Sequence, residues 1–464
     1  MDNKIVSFFD SVKGKTVAFC GIGGSNLPLI RLFKKYGANV LACDRREKDA
    51  LGENADKAEE YGATLRLGDD YLKNLGADII FRTPGMKFYM PELVEARNNG
   101  AVVTSEMEVF FDLCPCKIIA VTGSDGKTTT TSVIAEMLKA QGYNVRLGGN
   151  IGKPLLPEIE EVQPDDIAVV ELSSFQLISM RKSPDVAVVT NLAPNHLDIH
   201  KDMQEYIDSK KNIILHQNAF GKAVLNFDND IAYSFLSDVR GSAYLFSRKN
   251  SVSNGACLND KGEIVMNENG KETIIMKASE IKIPGLHNVE NYLAAICAVW
   301  GMVDAQTIRK VAMEFGGVEH RAELVRELDG VKYYNDAIGT SPTRTVKGML
   351  SLFEQKIILI AGGYDKKIPY DDMGKVVPST VKVLILFGAT ADKIEAATKN
   401  APDYTEGNPK IIRVSNMEEA VAAARENAVE GDIVAMSPAS ASFDMYKNFA
   451  EKGIHFKKIV NELK

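Results

Sequence analysis

The chain has 464 residues, 45% hydrophobic and 25% charged, with 55 lysines and arginines against 62 aspartates and glutamates for a net charge of −7. At roughly 150 residues per domain that length predicts about three domains, and the composition excludes a disordered, collagen-like or disulfide-scaffold chain. The acidic balance gives no sign of a general nucleic-acid binder, while leaving room for a local basic pocket for an anionic substrate.

The leading Met1-Asp2-Asn3-Lys4 has no basic region followed by an apolar stretch, so no signal peptide is expected. No apolar segment approaches the roughly 20 residues needed to span a bilayer, and the chain reads as cytoplasmic. The first segment follows βαβ grammar, which predicts a parallel sheet. A buried strand is expected at 16–20, a helix carrying Leu27, Ile30, Leu32 and Phe33, a second strand at 39–43 closed by Asp44, and a third at 78–81 before the turn Thr83-Pro84-Gly85. Gly21-Ile22-Gly23-Gly24-Ser25-Asn26 resembles the start of a dinucleotide fingerprint, with Asn26 in place of the third glycine. Asp44 stands roughly 20 residues after Gly23, near the distance expected for a ribose contact. Two readings stay open: a pyrophosphate docked at this sheet edge, or a tight packing turn.

Cys114-Pro115-Cys116 marks a linker, and its spacing is too close and too isolated for a zinc site. Most of the six cysteines lie in apolar runs and are expected as buried free thiols. A strand at 117–121 then runs into Thr122-Gly123-Ser124-Asp125-Gly126-Lys127-Thr128-Thr129, which opens a helix. Glycine at 123 and 126 lets backbone N–H groups turn toward a phosphate, and the helix N-terminus adds a positive dipole. Lys127 would reach the outer phosphates and Thr128 would hold Mg²⁺. Val121 occupies the place of the first Walker glycine, so a plain strand-to-helix turn is the competing reading.

Further strands are expected at 167–170 and 186–190. Glu171 closes the first of them, at the sheet edge where ligands bind; it is either a Mg²⁺ ligand or a surface acid. His196 and His200, with Asp198 between them, lack the fuller ligand set of a zinc site. Lys210 follows Tyr206 by one helical turn and, on spacing alone, is an ordinary solvated lysine. Residues 222–285 read as a β-rich excursion with hairpins at Asn254-Gly255, Lys261-Gly262 and Asn269-Gly270. A helix is expected at 288–300. From about Gly317 a second doubly wound unit follows, with strands at 356–360, 383–387, 411–414 and 433–436.

Further blocks carry a family resemblance: Gly149-Asn150-Ile151-Gly152, Glu171-Leu172-Ser173-Ser174-Phe175-Gln176-Leu177, His287-Asn288-Val289-Glu290-Asn291, His320-Arg321-Ala322-Glu323, Asn335-Asp336 and Ser437-Pro438-Ala439-Ser440-Ala441-Ser442-Phe443-Asp444. Their identity and order resemble the Mur ligase family of peptidoglycan synthesis, most nearly its D-glutamate-adding branch. The resemblance implies an α/β chain of three domains. Residues 1–112 would form a Rossmann-like domain for a UDP-sugar. Residues 113–317 would form a P-loop ATPase-type domain bearing the β-rich excursion. Residues 318–464 would form a Rossmann-like domain that binds the amino acid and closes over ATP. The implied activity is an ATP-dependent amide ligase, forming ADP and phosphate, that adds D-glutamate to UDP-N-acetylmuramoyl-L-alanine through an acyl phosphate, in cytoplasmic cell-wall precursor synthesis. The implied cofactors are ATP and two Mg²⁺ ions. The implied partners are the two substrates, with no nucleic acid or membrane, and the chain would be a monomer.

Site residues follow from the same resemblance. Lys127, Glu171, His196 and Lys210 would be catalytic. Thr128, Glu171, His196 and Lys210 would hold metal, with Lys210 carbamylated. ATP would be bound by Gly123, Ser124, Asp125, Gly126, Lys127, Thr128, Thr129, Asn150, Asn288, Asn291, Arg321 and Asp336. The UDP-sugar would meet Gly24, Ser25, Asp44, Arg45, Arg46, Thr83, Gly85 and Ser173. D-glutamate would meet Thr340, Lys366 or Lys367, Ser442 and Phe449, a set with the cations and donors that two carboxylates require. The chain departs from the family pattern at Asn195, often an acid, at Ile338, lysine in some members, and at Asp125, commonly asparagine.

Overall fold

A computed structural model describes residues 3–196 and 199–464. Met1 and Asp2 of the leading segment, and Leu197 and Asp198 beside His196, lie outside the described residues. The chain forms two compact units, one of residues up to 280 with 289–313, the other of 281–288 with 314–464.

The first sheet holds β1 (Thr16–Cys20), β2 (Asn39–Asp44), β3 (Thr64–Leu67), β4 (Ile79–Arg82) and β5 (Val102–Thr104), in the order β3-β2-β1-β4-β5. All its pairings are parallel. Val17, Ala18, Phe19 and Cys20 have no exposure, because helices cover both faces of a parallel sheet and its central strand needs an unbroken apolar run. Phe19, Phe33 and Phe81 meet with ring centroids 4.9 to 5.3 Å apart. The chain leaves β1 for β2 and β3 and returns to β4, so the strand order reverses between β1 and β4. Open α/β sheets bind ligands at such a point. The loops there press together: Gly21 has φ 97°, and a Cβ on it would overlap the Thr83 side chain.

The second sheet comprises β6 (Lys117–Thr122), β7 (Val145–Gly149), β8 (Ile167–Glu171), β9 (Val186–Val189), β10 (Lys222–Asn226), β11 (Ser242–Ser247), β12 (Gly255–Leu258), β13 (Glu263–Glu268) and β14 (Lys271–Lys277). Its order is β14-β13-β12-β11-β10-β9-β6-β8-β7. Residues 222–285 are β-rich, as expected, and extend the central sheet: β10, β11 and β12 continue it in parallel, and only β13 and β14 turn antiparallel. Asn254-Gly255 is therefore no hairpin turn. Leu245 pairs in parallel with Gly255, and the Asn254 side chain donates to the carbonyl of Ala243 at 2.6 Å. The other two dipeptides do turn hairpins, with Asn269 and Gly270 both at positive φ, as a tight two-residue turn demands.

One apolar cluster joins the two sheets. It runs from Phe9, Phe33 and Phe81 through Met107 and Phe110 to Leu156, Ile159, Ala168 and Val170. Lys35 adds an ion pair to Glu160 at 2.6 Å, and Tyr36 donates to the same carboxylate.

The second unit carries β15 (Glu323–Leu328), β16 (Val331–Asn335), β17 (Ile357–Ala361), β18 (Val381–Leu386), β19 (Lys410–Arg413) and β20 (Ile433–Met436), ordered β15-β16-β20-β17-β18-β19. All pairs are parallel except the edge pair β15–β16.

The parallel joint of β11 and β12 depends on Gly255, whose φ is 136° and whose missing Cβ would overlap the carbonyl of Leu245. Gly255→Ala is expected to lower unfolding stability by about 2–4 kcal/mol. Denaturant titration of both proteins checks this, and an unchanged midpoint would refute the close approach.

Candidate active site

Three strand ends of the second sheet converge. β6 feeds the loop 123–126 and then the helix Lys127–Gln141. Gly123, at φ 150°, has no room for a side chain: a Cβ there would overlap Oγ1 of Thr190, just past β9. Gly126 is left-handed at φ 78°, and a Cβ on it would meet Oδ1 of Asn291. The loop is braced from the β9 side. Ser124 N donates to the carbonyl of Asn191 at 2.8 Å, Asp125 N to Asn191 Oδ1 at 3.0 Å, and Thr190 Oγ1 to the carbonyl of Asp125 at 2.6 Å. The Ser124 hydroxyl is buried, donating to the carbonyl of Ala193 and paired with the Tyr206 hydroxyl, both at 2.9 Å. Lys127 curls back over the loop, its Nζ at 3.0 and 2.9 Å from the carbonyls of Gly123 and Ser124. Thr128 is buried, Thr129 half-buried and Asp125 exposed. Asn291 accepts from Thr130 Oγ1 at 3.2 Å, which places it behind the loop. Asn288, one turn earlier on the helix Leu286–Val299, donates to the carbonyl of Pro284 at 2.6 Å.

Glu171 ends β8 in register with Val121 and Gly149. It is 1% exposed; Oε1 accepts from Asn150 Nδ2 at 2.7 Å, and Oε2 has no hydrogen-bond partner. A buried carboxylate oxygen without a donor fits a cation. Lys210, on the helix Met203–Leu215, is 2% exposed and not the solvated lysine its spacing suggested. Its Nζ donates to Thr122 Oγ1 at 3.1 Å and to the carbonyl of Gly123 at 2.9 Å. Burial drives its ammonium well below the usual lysine range; Lys127 pushes the same way, against Glu171 and Asp125. An ammonium does not bind a metal, but a lysine held neutral is the form that takes up CO₂ to become an anion. His196, exposed and at φ 56°, stands edge-on to Phe175 at 5.2 Å. His200 is buried, with both ring nitrogens engaged by Glu205 and Ser174. Among the described residues no group of three or more histidine, cysteine, aspartate or glutamate side chains is placed to hold a metal.

Two cavities lie along the junction of the first two sheets. One, of about 290 Å³, is lined by Gly24, Ser25, Asn150 and Gln176 among others. The other, of about 420 Å³, carries Gly85, Phe88, Tyr89 and Phe175. Ser173 does not line them; it caps the short helix Ser174–Leu177 in a reciprocal box with Gln176. Asp44 holds the glycine loop, accepting from Ile22 N at 2.9 Å and from Arg46 at 2.9 to 3.0 Å. Burial works to raise its carboxyl, but the Arg46 and Ile22 hydrogen bonds hold it below the usual range. Arg45 is exposed beside Asp69. The expected residues omit Glu106, also in the smaller cavity, which accepts from the backbone of Leu155 and Leu156 at 2.8 Å and whose carboxyl burial pushes up to about 7. Set between Ser105 and Met107 in the first turn of a helix, where acids are common, it gives no signal in the sequence.

In the second unit, Asp336 follows β16 and is buried, accepting from Ser437 Oγ at 2.6 Å and from Ala322 N at 3.3 Å. Burial pushes its carboxyl up to about 6, against the Ser437 hydrogen bond and the charges of Arg344 and Arg321. Lys366 Nζ reaches the carbonyl of Thr340 at 3.4 Å, whereas Lys367 is left-handed at φ 59°. Ser442 is 2% exposed with an unpartnered hydroxyl, and Phe449 stands edge-on to His320 at 6.1 Å.

Residues 121–299 match the Mur ligase middle domain and residues 320–440 the domain described as Mur ligase, glutamate ligase domain. The chain is 53% identical, over all of both chains, to the UDP-N-acetylmuramoylalanine–D-glutamate ligase of Acetivibrio thermocellus. It is 50% identical, again over all of both, to that of Ruminiclostridium cellulolyticum. Among solved structures, a UDP-N-acetylmuramate-alanine ligase from Thermotoga maritima shares the fold at a TM-score of 0.57 and 18% identity, covering 97% of this chain and 100% of that one.

Asp336 yields a pH prediction. Its folded pKa of about 6 lies above the model-peptide value of about 3.9, so the folded state holds the proton more tightly. Its contribution is fully present below pH 4 and is lost as pH rises through 6. Relative to Asp336→Asn, the wild type is expected to lose up to about 3 kcal/mol between pH 4 and pH 7. Denaturant midpoints of both proteins at four pH values read this; parallel profiles would contradict it.

Proposed function

The chain belongs to the Mur ligase family, and on that premise we propose that it joins D-glutamate to UDP-N-acetylmuramoyl-L-alanine at the expense of ATP. The observation that carries the reading is the meeting of a glycine phosphate loop with a buried, half-satisfied carboxylate at the ends of β6 and β8, in a chain with full-length relatives named for this reaction.

The reaction has two steps. The alanyl carboxylate attacks the γ-phosphorus of ATP, forming a C–O–P linkage and releasing ADP. The amine of D-glutamate then attacks the acyl carbon, loses a proton and expels phosphate. Mg²⁺, when bound, offsets the charge of the polyphosphate and polarises the γ-phosphoryl group. Glu171 and Thr128 are the residues proposed to hold one ion, and His196 with Lys210 a second. Lys127 leaves the loop carbonyls to balance the outer phosphates, and the amides beyond Asp125, where the loop enters the helix, donate to phosphate oxygens, since those of Ser124 and Asp125 are engaged by Asn191. Lys210, neutral because it is buried, attacks CO₂ through nitrogen and sheds a proton, leaving a carbamate anion.

The UDP-sugar lies along the cavity of Gly24, Ser25 and Asn150. Asp44 and Arg46 act there by shaping the glycine loop. For D-glutamate, Thr340, Ser442, Phe449 and Lys366 are proposed, Lys366 over Lys367 because it already reaches Thr340. The three sheets support a division of labour into 1–112, 113–317 and 318–464. No described helix is long and apolar enough to cross a membrane, and we place the reaction in the cytoplasm, catalysed by a monomer.

Phosphate release with ATP, Mg²⁺ and UDP-N-acetylmuramoyl-L-alanine is expected with D-glutamate and not with L-glutamate, L-alanine or a diamino acid. Release with another amino acid would retain the ligase chemistry and overturn the amino-acid assignment. Equilibration in CO₂-free buffer is expected to lower turnover several-fold, with recovery on adding bicarbonate. Turnover indifferent to CO₂ would exclude the carbamate.

A further inference from the structure

Arg82 ends β4 and is 1% exposed, an unusual place for a guanidinium. It lines both cavities at the junction of the first two sheets. Its hydrogen-bond acceptors are all neutral. Nη2 donates to the carbonyl of Phe175 at 3.0 Å and to Ser179 Oγ at 2.6 Å, and Nη1 to the carbonyl of Met86 at 3.4 Å. The ring of Phe88 lies 5.4 Å from the guanidinium carbon. The nearest acid in this network, Glu108, is reached only through Ser179, whose hydroxyl also stands 2.9 Å from Glu108 Oε2. Nε is buried and has no partner.

A buried cation that meets only neutral acceptors is costly, and an unpaired buried N–H adds to that cost. An oxygen-rich anion entering the cavities would answer both deficits. The smaller cavity offers the glycine loop and Asn150, suited to a diphosphate. The larger one offers Phe88, Tyr89 and Phe175, apolar faces suited to a sugar ring. Arg82 and Pro84 are common to both linings.

We propose that Arg82 is a substrate-binding residue that donates its Nε–H to an oxygen on the sugar side of the UDP-sugar diphosphate. The proposal rests on the UDP-sugar reading of these cavities. Hydrogen bonds from charged donors are worth roughly tenfold to a hundredfold in affinity, and lysine cannot reproduce a fixed Nε–H.

Calorimetric titration of the full chain with UDP-N-acetylmuramoyl-L-alanine and, separately, with UDP tests it. For Arg82→Lys and Arg82→Gln, affinity for the UDP-sugar is expected to fall tenfold or more, with affinity for UDP changed less than twofold. In Ser179→Ala, which leaves Nε untouched, UDP-sugar affinity is expected to stay within about threefold of wild type. Should both Arg82 variants fail to fold, Ser179→Ala alone still discriminates: a tenfold loss there would make Arg82 a structural tie between β4 and residues 175–179 and overturn the proposal. Unchanged UDP-sugar affinity in a folded Arg82 variant, or an equal loss for UDP, would also overturn it. A wild-type chain that binds no UDP-sugar would instead remove the functional reading on which the proposal stands, and the proposal with it.

Discussion

The close approach of β9 to the loop after β6 is the constraint from which the central site is built. The space a side chain on Gly123 would need is taken by Thr190, and the residues beyond β9 then hold the loop through its own backbone. A loop held in that way is fixed at Ser124 and Asp125 by the Thr190 and Asn191 side chains and the Asn191 carbonyl. It also gives Lys210 a carbonyl to rest on, at Gly123. Opening that crossing would disturb the glycine loop and the buried lysine together.

The two units use one positional logic for their charged groups. Asp44 closes β2, Glu171 closes β8, and Asp336 follows β16. Each sits where a parallel strand ends and the chain turns away, the edge at which open α/β sheets gather ligands. Their surroundings then divide them. Asp44 is saturated by Arg46 and Ile22 and is held ionised. Glu171 keeps an oxygen without a donor. Asp336 is buried deeply enough to retain a proton near pH 6. Similar carboxylates at similar edges thus come to differ: one shapes a loop, one keeps an oxygen without a donor, and one pairs with a serine.

Much of this was legible in the sequence because parallel sheets require apolar runs and glycine turns that a reader can see. The strands at 16–20, 117–121 and 433–436, and the glycines at 123 and 126, announce themselves in this way. Short edge strands such as β3, β5 and β7 escaped, since they are half-buried and carry no continuous apolar run. The Asn254-Gly255 dipeptide misled because a hairpin and a close parallel approach both favour glycine. Lys210 shows the limit most clearly. Its helical spacing marks a solvated lysine, and only the packing of Tyr206 and the phosphate loop around it puts it inside. Arg82 and Glu106 were invisible for the same reason: burial of a charge at a junction of two sheets is a property of three-dimensional neighbours.

The antiparallel ribbon that ends the nine-stranded sheet has a consequence for how the molecule meets its own copies. An all-parallel sheet of this width would present a long unpaired edge of amides and carbonyls to solvent, a template on which another chain could add. Here β13 folds back on β12, and β14 on β13, so the outermost strand is one of a tight hairpin with lysine at both ends and Glu272 between. Ile274 is exposed on that strand, between charges of the kind with which edge strands resist edge-to-edge pairing. Turning antiparallel leaves β14 as an edge, and its lysines and glutamate, rather than its direction, are what make that edge a poor template for a second chain.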